Sequence, residues 1–376
     1  MTVQIQKKLS AFKSINAKNK TQKTGAFNLQ LAFEHSEACL GILGASGCGK
    51  SMTLKCIAGI ETPDSGHISL DGHVLFDSKA KINLRPQERK IAYLFQSYAL
   101  FPKMTVYENI TVALKKPSLF PGKNKADEKT IAEKAALWIE RLGLKGLEKR
   151  YPKEISGGEQ QRTALARILI LEPGVILLDE PFSALDTGLR EQMQLLLQTV
   201  LKESNTLALM VTHSRDEAYK LCKQLAIMEK GSIAAYGNTL ALFENPGNIT
   251  AAKLTGCKNI SPARRTGIDT FYAIDWEIEL HITAAADFDL DTVKYIGIRA
   301  HDITAVYGGN ETGQNEINFN IVLESYDLFE NTVIFTSKSV KDTCEKNQIW
   351  WKYSKHLVKT PPERLFFPPQ SILLLS

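Results

Sequence analysis

Gly44-Ala45-Ser46-Gly47-Cys48-Gly49-Lys50-Ser51 decides how this chain is read. The pattern is G-x-x-x-x-G-K-S, flanked by the apolar run 38–43 and by the helix-forming stretch 52–59. A buried strand, a glycine loop and a helix N-terminus in that order make a phosphate-binding loop. Glycines let consecutive N–H groups turn toward an anion, and the helix dipole adds positive potential at the same point. Lys50 is placed to reach β- and γ-phosphates, and the Ser51 hydroxyl to be a ligand of a bound Mg²⁺. A plain glycine-serine turn would account for the bend but not for Lys50 beside Ser51. Cys48 lies at the same helix start, where a thiol pKa is expected to fall.

A second polar pair ends a buried strand. Residues 175–180 read Val-Ile-Leu-Leu-Asp-Glu, so Asp179 and Glu180 stand at the strand's C-terminal edge, where open α/β sheets bind ligands. Asp179 is expected to hold Mg²⁺, usually through water, and Glu180 to polarise an attacking water. The alternative is a polar strand exit ahead of Pro181.

The third element is Ile155-Ser156-Gly157-Gly158-Glu159-Gln160-Gln161-Arg162. Taken alone, Ser156 with Glu159 three residues on is a capping box for the helix that follows. Taken with the phosphate loop and the Asp179-Glu180 strand, the stretch resembles the signature of ATP-binding cassette (ABC) ATPases, with Glu159 in place of the commonest glutamine. The resemblance is strong over residues 25–240 and loose beyond. It implies that Gln96 is the Q-loop glutamine, contacting Mg²⁺ or water; that Ser183-Ala184-Leu185-Asp186 is the D-loop; and that His213, after the strand 206–212, contacts the γ-phosphate. It also implies that Ser156, Gly157 and Gly158 serve in trans. One loop and one signature then need a second copy, in a head-to-tail dimer with ATP and Mg²⁺ at the seam. The adenine-stacking aromatic normally precedes the loop; Phe12 is rather far and Phe27 rather close, and neither is assigned.

Composition fits these readings. The chain has 376 residues, 44% hydrophobic and 23% charged, with a net charge of +5 that is too mild to argue for nucleic acid. No run of 18 apolar residues suggests a membrane span, and the first residues lack a signal-peptide core. The six lysines among residues 1–23 read as a solvated or edge-strand segment. Six scattered cysteines suggest reduced thiols rather than disulfides or a zinc site. With no span expected, the resemblance implies a peripheral subunit at the cytoplasmic face of a membrane, docked on transmembrane permease subunits and served indirectly by an extracytoplasmic solute-binding protein. Residues 98–106 form the apolar segment where importer cassettes receive the permease.

Strands alternating with helices predict an α/β P-loop NTPase domain over 1–240, with a helical subdomain at about 97–172, including a helix at 126–142. Residues 241–258 read as a linker. Residues 259–376 read as a small all-β domain, a barrel or sandwich; it resembles the OB or TOBE/Mop-like regulatory domain of importer cassettes. Tyr295-Ile296-Gly297-Ile298-Arg299-Ala300-His301-Asp302 is similar to a segment of that domain in importer cassettes, and Arg264, Arg265, Arg299 and His301 are candidates for an anion there. Residues 74–101 and 255–261 look most like molybdate or sulfate-type cassettes; polyamine, sugar, iron or phosphonate import is the alternative. A GTPase is the rival class, through Asn124-Lys125-Ala126-Asp127, but that tetrapeptide opens a charged helix instead of ending a buried strand. A chromosome-type ATPase needs a long coiled coil between Gln96 and Ser156, where only residues 97–155 stand.

Overall fold

In the computed structural model, the described residues are 1–9, 13–15, 21–23, 27–115, 127–183, 185–204, 206–283, 289–308, 313–340, 344–355 and 362–376. They form two compact units, Met1–Thr239 and Leu240–Ser376.

The first unit is built on a six-stranded sheet. Its spatial order is Ser232–Asn238, Gln224–Glu229, Cys39–Gly44, Leu207–Thr212, Val175–Asp179 and Ile91–Leu94. All neighbours are parallel except the first pair, which is an antiparallel hairpin. Parallel strands covered on both faces must be apolar throughout, and Cys39–Gly44 and Val175–Asp179 are buried at every position. Val175 and Leu177 join one core, shared with Leu54 and Ile57 of the helix Lys50–Ala58. Ile176 and Leu178 join the other, shared with Ala164 and Leu165 of the helix Gly157–Leu169. Each fully buried aliphatic side chain contributes roughly 1.5–3 kcal/mol. The parallel direction brings Gly44, Leu94, Asp179 and Thr212 to one edge of the sheet, and the residues after them form the site.

An antiparallel sheet, in the order Phe27–Glu34, Thr2–Leu9, Ser65–Leu70, His73–Asp77 and Ile82–Asn83, packs its apolar positions on the first of these cores. This corrects the reading of the lysine-rich start. Thr2–Leu9 is a central strand paired on both sides, because Val3 and Ile5 are buried while Lys7 donates to the Thr62 carbonyl at 2.7 Å. The helices Val106–Lys115, Glu128–Arg141 and Gly157–Leu169 pack together. Asp127 caps the second of them, accepting from the Thr130 N–H at 2.6 Å, which gives it a local role apart from guanine reading; Asn124, Lys125 and Ala126 lie outside the described residues.

Arg89 organises the far end of the phosphate-loop helix. The side chain is 1% exposed and donates to the carbonyls of Cys56, Ile57 and Leu84 and to Asn83 Oδ1. It satisfies the last carbonyls of Lys50–Ala58, groups that a helix leaves open. Gly59, at φ 78°, ends that helix, and a Cβ there would meet the Arg89 guanidinium at 2.6 Å.

The second unit begins with two short helices, Thr239–Glu244 and Ile249–Leu254, where a linker was expected. Asn248 caps the second by accepting from the Ala251 N–H, and Ala251 and Ala252 are buried. The rest is β: a five-stranded sheet (Ile278–His281, Thr270–Ala273, Asn259–Arg265, Tyr295–Ile298, Ile372–Leu375) and two three-stranded sheets. Trp276, Phe271, Phe335, Trp351 and Phe367 fill their shared core. The strand Phe319–Tyr326 lies at a sheet edge and is exposed at seven of its eight positions.

Candidate functional site

The phosphate loop leaves the central strand at Gly44 and enters its helix at Lys50. Gly47 and Gly49 have φ of 78° and 106°, a region that a side chain resists. A Cβ on Gly49 would lie 2.8 Å from Leu29 and 2.9 Å from Phe27, whereas at Gly47 it would meet nothing within 4 Å. The loop is thus packed underneath and open above. No side-chain hydrogen bond caps the helix at Gly49, which suits a site where an anion takes the first N–H groups. Lys50 folds over the loop and donates to the carbonyls of Gly44 at 2.8 Å and Ala45 at 3.1 Å.

Ser51 Oγ donates to Asp179 Oδ1 at 2.8 Å, and Tyr93 OH donates to Asp179 Oδ2 at 2.7 Å. A hydroxyl and a carboxylate in contact beside a phosphate cradle are hard oxygen donors of the kind Mg²⁺ takes, together with phosphate oxygens and water. The residues present therefore fit the cation read from the sequence.

Glu180 sits at φ 48°, a strained setting for a residue with a side chain, held by its N–H on the Val211 carbonyl and by Ser183 Oγ on its own carbonyl. Its Oε2 gathers the other two candidates: Gln96 Nε2 lies at 3.4 Å and His213 Nδ1 at 3.6 Å. Gln96 also reaches Ser183 Oγ at 3.3 Å. Strand exit and helix start hold His213 between them. Thr212 Oγ1 donates to Glu217 Oε2 at 2.5 Å, and Ser214 caps the helix Arg215–Leu221. Burial pushes the Glu217 carboxyl above its ordinary pKa. Gln96, Glu180 and His213 thus converge next to Ser51 and Asp179.

Ser156, Gly157 and Gly158 stand apart, at the start of the helix Gly157–Leu169. The capping box is present: Ser156 N–H donates to Glu159 Oε2 at 2.7 Å, and Glu159 N–H to Ser156 Oγ. Gly157 is open, while a Cβ on Gly158 would meet Leu189 at 2.4 Å. Leu189 belongs to the helix Thr187–Ser204, whose first turn is held by Asp186 accepting from the Leu189 N–H at 3.0 Å. Ala184 lies outside the described residues. The same signature helix carries Arg167, which donates to the carbonyls of Tyr98 and Ala99 at 2.8 and 2.7 Å, just beyond Gln96.

The structure reverses the expectation for Cys48. Its side chain is 6% exposed, and burial pushes the thiol pKa up despite Lys50 nearby. Phe27 packs against Gly49, and Phe12 lies outside the described residues. In the second unit the anion candidates are engaged separately. Arg299 donates to the carbonyls of Thr255 and Phe243, Arg265 to Gly267, Ile268 and Asp291, Arg264 lies over the Tyr272 ring, and His301 faces Asp302. Tyr93, Arg89 and Arg167 were missed by sequence reasoning; a tyrosine in an otherwise apolar strand was the one signal available.

A family model described as ABC transporter matches residues 27–183. Over 244 residues, 65% of this chain, the sequence is 36% identical to the sulfate/thiosulfate import ATP-binding protein CysA of Pseudomonas syringae pv. tomato and covers 68% of it. Over 227 residues, 60% of this chain, it is 42% identical to the spermidine/putrescine import ATP-binding protein PotA of Nitrosomonas europaea, covering 59% of that protein. The chain spans less than two thirds of the first curated relatives it matches. A dimeric structure of the ATP-binding cassette MJ0796 bound to ADP and Pi superposes with a TM-score of 0.51 at 24% identity, over 63% of this chain and 97% of that one. The fold and site define a P-loop nucleotide-binding cassette. The chain belongs to the ABC transporter family, as an ATP-binding cassette related to those of importers.

Proposed function

We propose that this chain hydrolyses ATP to drive a membrane importer. The observation that carries the reading is the meeting of Gln96 and His213 on one oxygen of Glu180, beside the Ser51–Asp179 pair and the open loop. ATP places its phosphates over Gly44–Ser51, with Lys50 swinging from the Gly44 carbonyl to the β- and γ-oxygens. Ser51 and Asp179 would hold Mg²⁺, which would neutralise phosphate charge. Glu180 accepts a proton from the attacking water, Gln96 orients that water, and His213 donates to the γ-phosphate; catalysis is mainly positioning and charge stabilisation.

The open Gly157 and exposed Ser156 then serve the partner's nucleotide across a head-to-tail dimer, and loss of the γ-phosphate opens the seam. Residues 98–106, with Phe101 46% exposed, receive the transmembrane permease subunits at the cytoplasmic face. A solute-binding protein acts on the other side of the membrane, and the β-rich unit regulates. No helix among the described residues is long and apolar enough to cross a membrane. The cargo is an oxyanion, molybdate, tungstate or sulfate, a reading supported by segments 74–101 and 255–261; the relatives include sulfate/thiosulfate, polyamine and iron cassettes alike.

Two measurements test the reading. Glu180→Gln should bind ATP, form a nucleotide-dependent dimer and lose turnover; unchanged turnover refutes it. Cells lacking the chain should lose uptake of molybdate or sulfate, and loss of polyamine, iron or maltose uptake instead would replace the cargo.

A further inference from the structure

Tyr93 and Asp179 sit on neighbouring parallel strands. Tyr93 is in register with Leu177, so Asp179 lies two residues further along and on the same face. An aromatic side chain can span that diagonal, and the phenol does so, 2.7 Å from Oδ2. Oδ1 is taken by Ser51, so both oxygens of this nearly buried carboxylate are held. The ring itself is braced by Phe95, with centroids 4.4 Å apart, and by the apolar core beneath.

We infer that Tyr93 is a positioning residue for the cation site: its phenol clamps one oxygen of Asp179 and so keeps the other beside the Ser51 hydroxyl, the pair that would hold Mg²⁺. This rests on the ATPase reading above. Partners that orient a metal-binding carboxylate contribute to metal affinity without touching the metal, and their removal costs from tenfold upward. A phenol that merely satisfies its own hydrogen bond would contribute to fold stability alone.

The experiment is an equilibrium titration of trinitrophenyl-ATP binding to the full chain, with and without Mg²⁺, for the natural protein and Y93F, alongside thermal melts. Y93F should bind the nucleotide normally in EDTA, while the Mg²⁺ concentration giving half the metal effect rises about tenfold. A Y93F chain with an unchanged Mg²⁺ midpoint, or one weakened equally in EDTA and Mg²⁺, overturns the inference. If the natural chain itself binds no nucleotide or ignores Mg²⁺, the parent reading falls, and the inference with it.

Discussion

Arg167 closes on the carbonyl of Tyr98, and through it one helix holds both the signature and the segment that follows Gln96. Tyr98 and Ala99 have φ of 58° and 47°, conformations that side-chain-bearing residues adopt only when something holds them. Arg167→Met removes two charge-assisted hydrogen bonds and should cost about 2 kcal/mol, read by denaturant unfolding. Stimulation of turnover by the permease should fall more than basal turnover, because the affected turn belongs to the segment proposed to dock it. Equal losses in both would detach Arg167 from coupling.

His213 is 64% exposed on its side chain, so His213→Ala removes no core packing. Turnover should drop about 10²-fold, the scale of a lost proton-handling or charge-stabilising group, with ATP affinity nearly kept. Gln96→Ala should act likewise, and steady-state kinetics on the two single variants and the double would show losses that do not add, since both meet Glu180 Oε2.

Cys48 should be slow toward iodoacetamide at neutral pH, because its thiol is buried and its pKa raised. Cys344 is exposed and should be labelled first. Peptide mapping by mass spectrometry during alkylation gives the order directly, and ATP should slow Cys48 further. Preferential early labelling of Cys48 would contradict its burial against Gly44.

Glu159 caps the signature helix as a charged acceptor, and its hydrogen bond from the Ser156 N–H lowers its pKa below the ordinary 4.5. A carboxyl lowered in the folded state stabilises the protein above its unfolded pKa and loses that contribution as pH falls through the folded one. Glu159→Gln keeps the capping geometry but not the charge. Its unfolding midpoint should therefore fall less steeply than the natural chain's on acidification below about pH 4.5, while turnover at neutral pH is retained.

Arg89→Met should destabilise the first unit by about 3 kcal/mol, since the carbonyls of Cys56, Ile57 and Leu84 lose a buried donor. Hydrogen exchange should localise the loss to Lys50–Ala58. Gly59→Ala should be costly too, through both its φ and the guanidinium in its way.

What was legible beforehand were features whose cause is local. A glycine loop, a capping box and an apolar strand ending in Asp179-Glu180 each declare themselves within a few residues. Arg89, Arg167 and Tyr93 act across distance, on carbonyls or a carboxylate that only the packed sheet brings near, and no spacing rule anticipates them. The place of Thr2–Leu9, not its being a strand, was misjudged for a related reason: its lysines suggest an edge, but it pairs on both sides, with Val3 and Ile5 inward. The helices Thr239–Glu244 and Ile249–Leu254 were hidden by Asn245-Pro246-Gly247, which looks like a joint and turns out to separate two short turns of helix.

Gly158 rests so closely on Leu189 that a single methyl would force the leucine side chain from its place. In the proposed head-to-tail dimer, the tip that would read a neighbour's triphosphate and the helix that begins at Thr187 therefore travel as one lever. A copy that senses its partner's spent nucleotide through one of them has no means of keeping the news from the other.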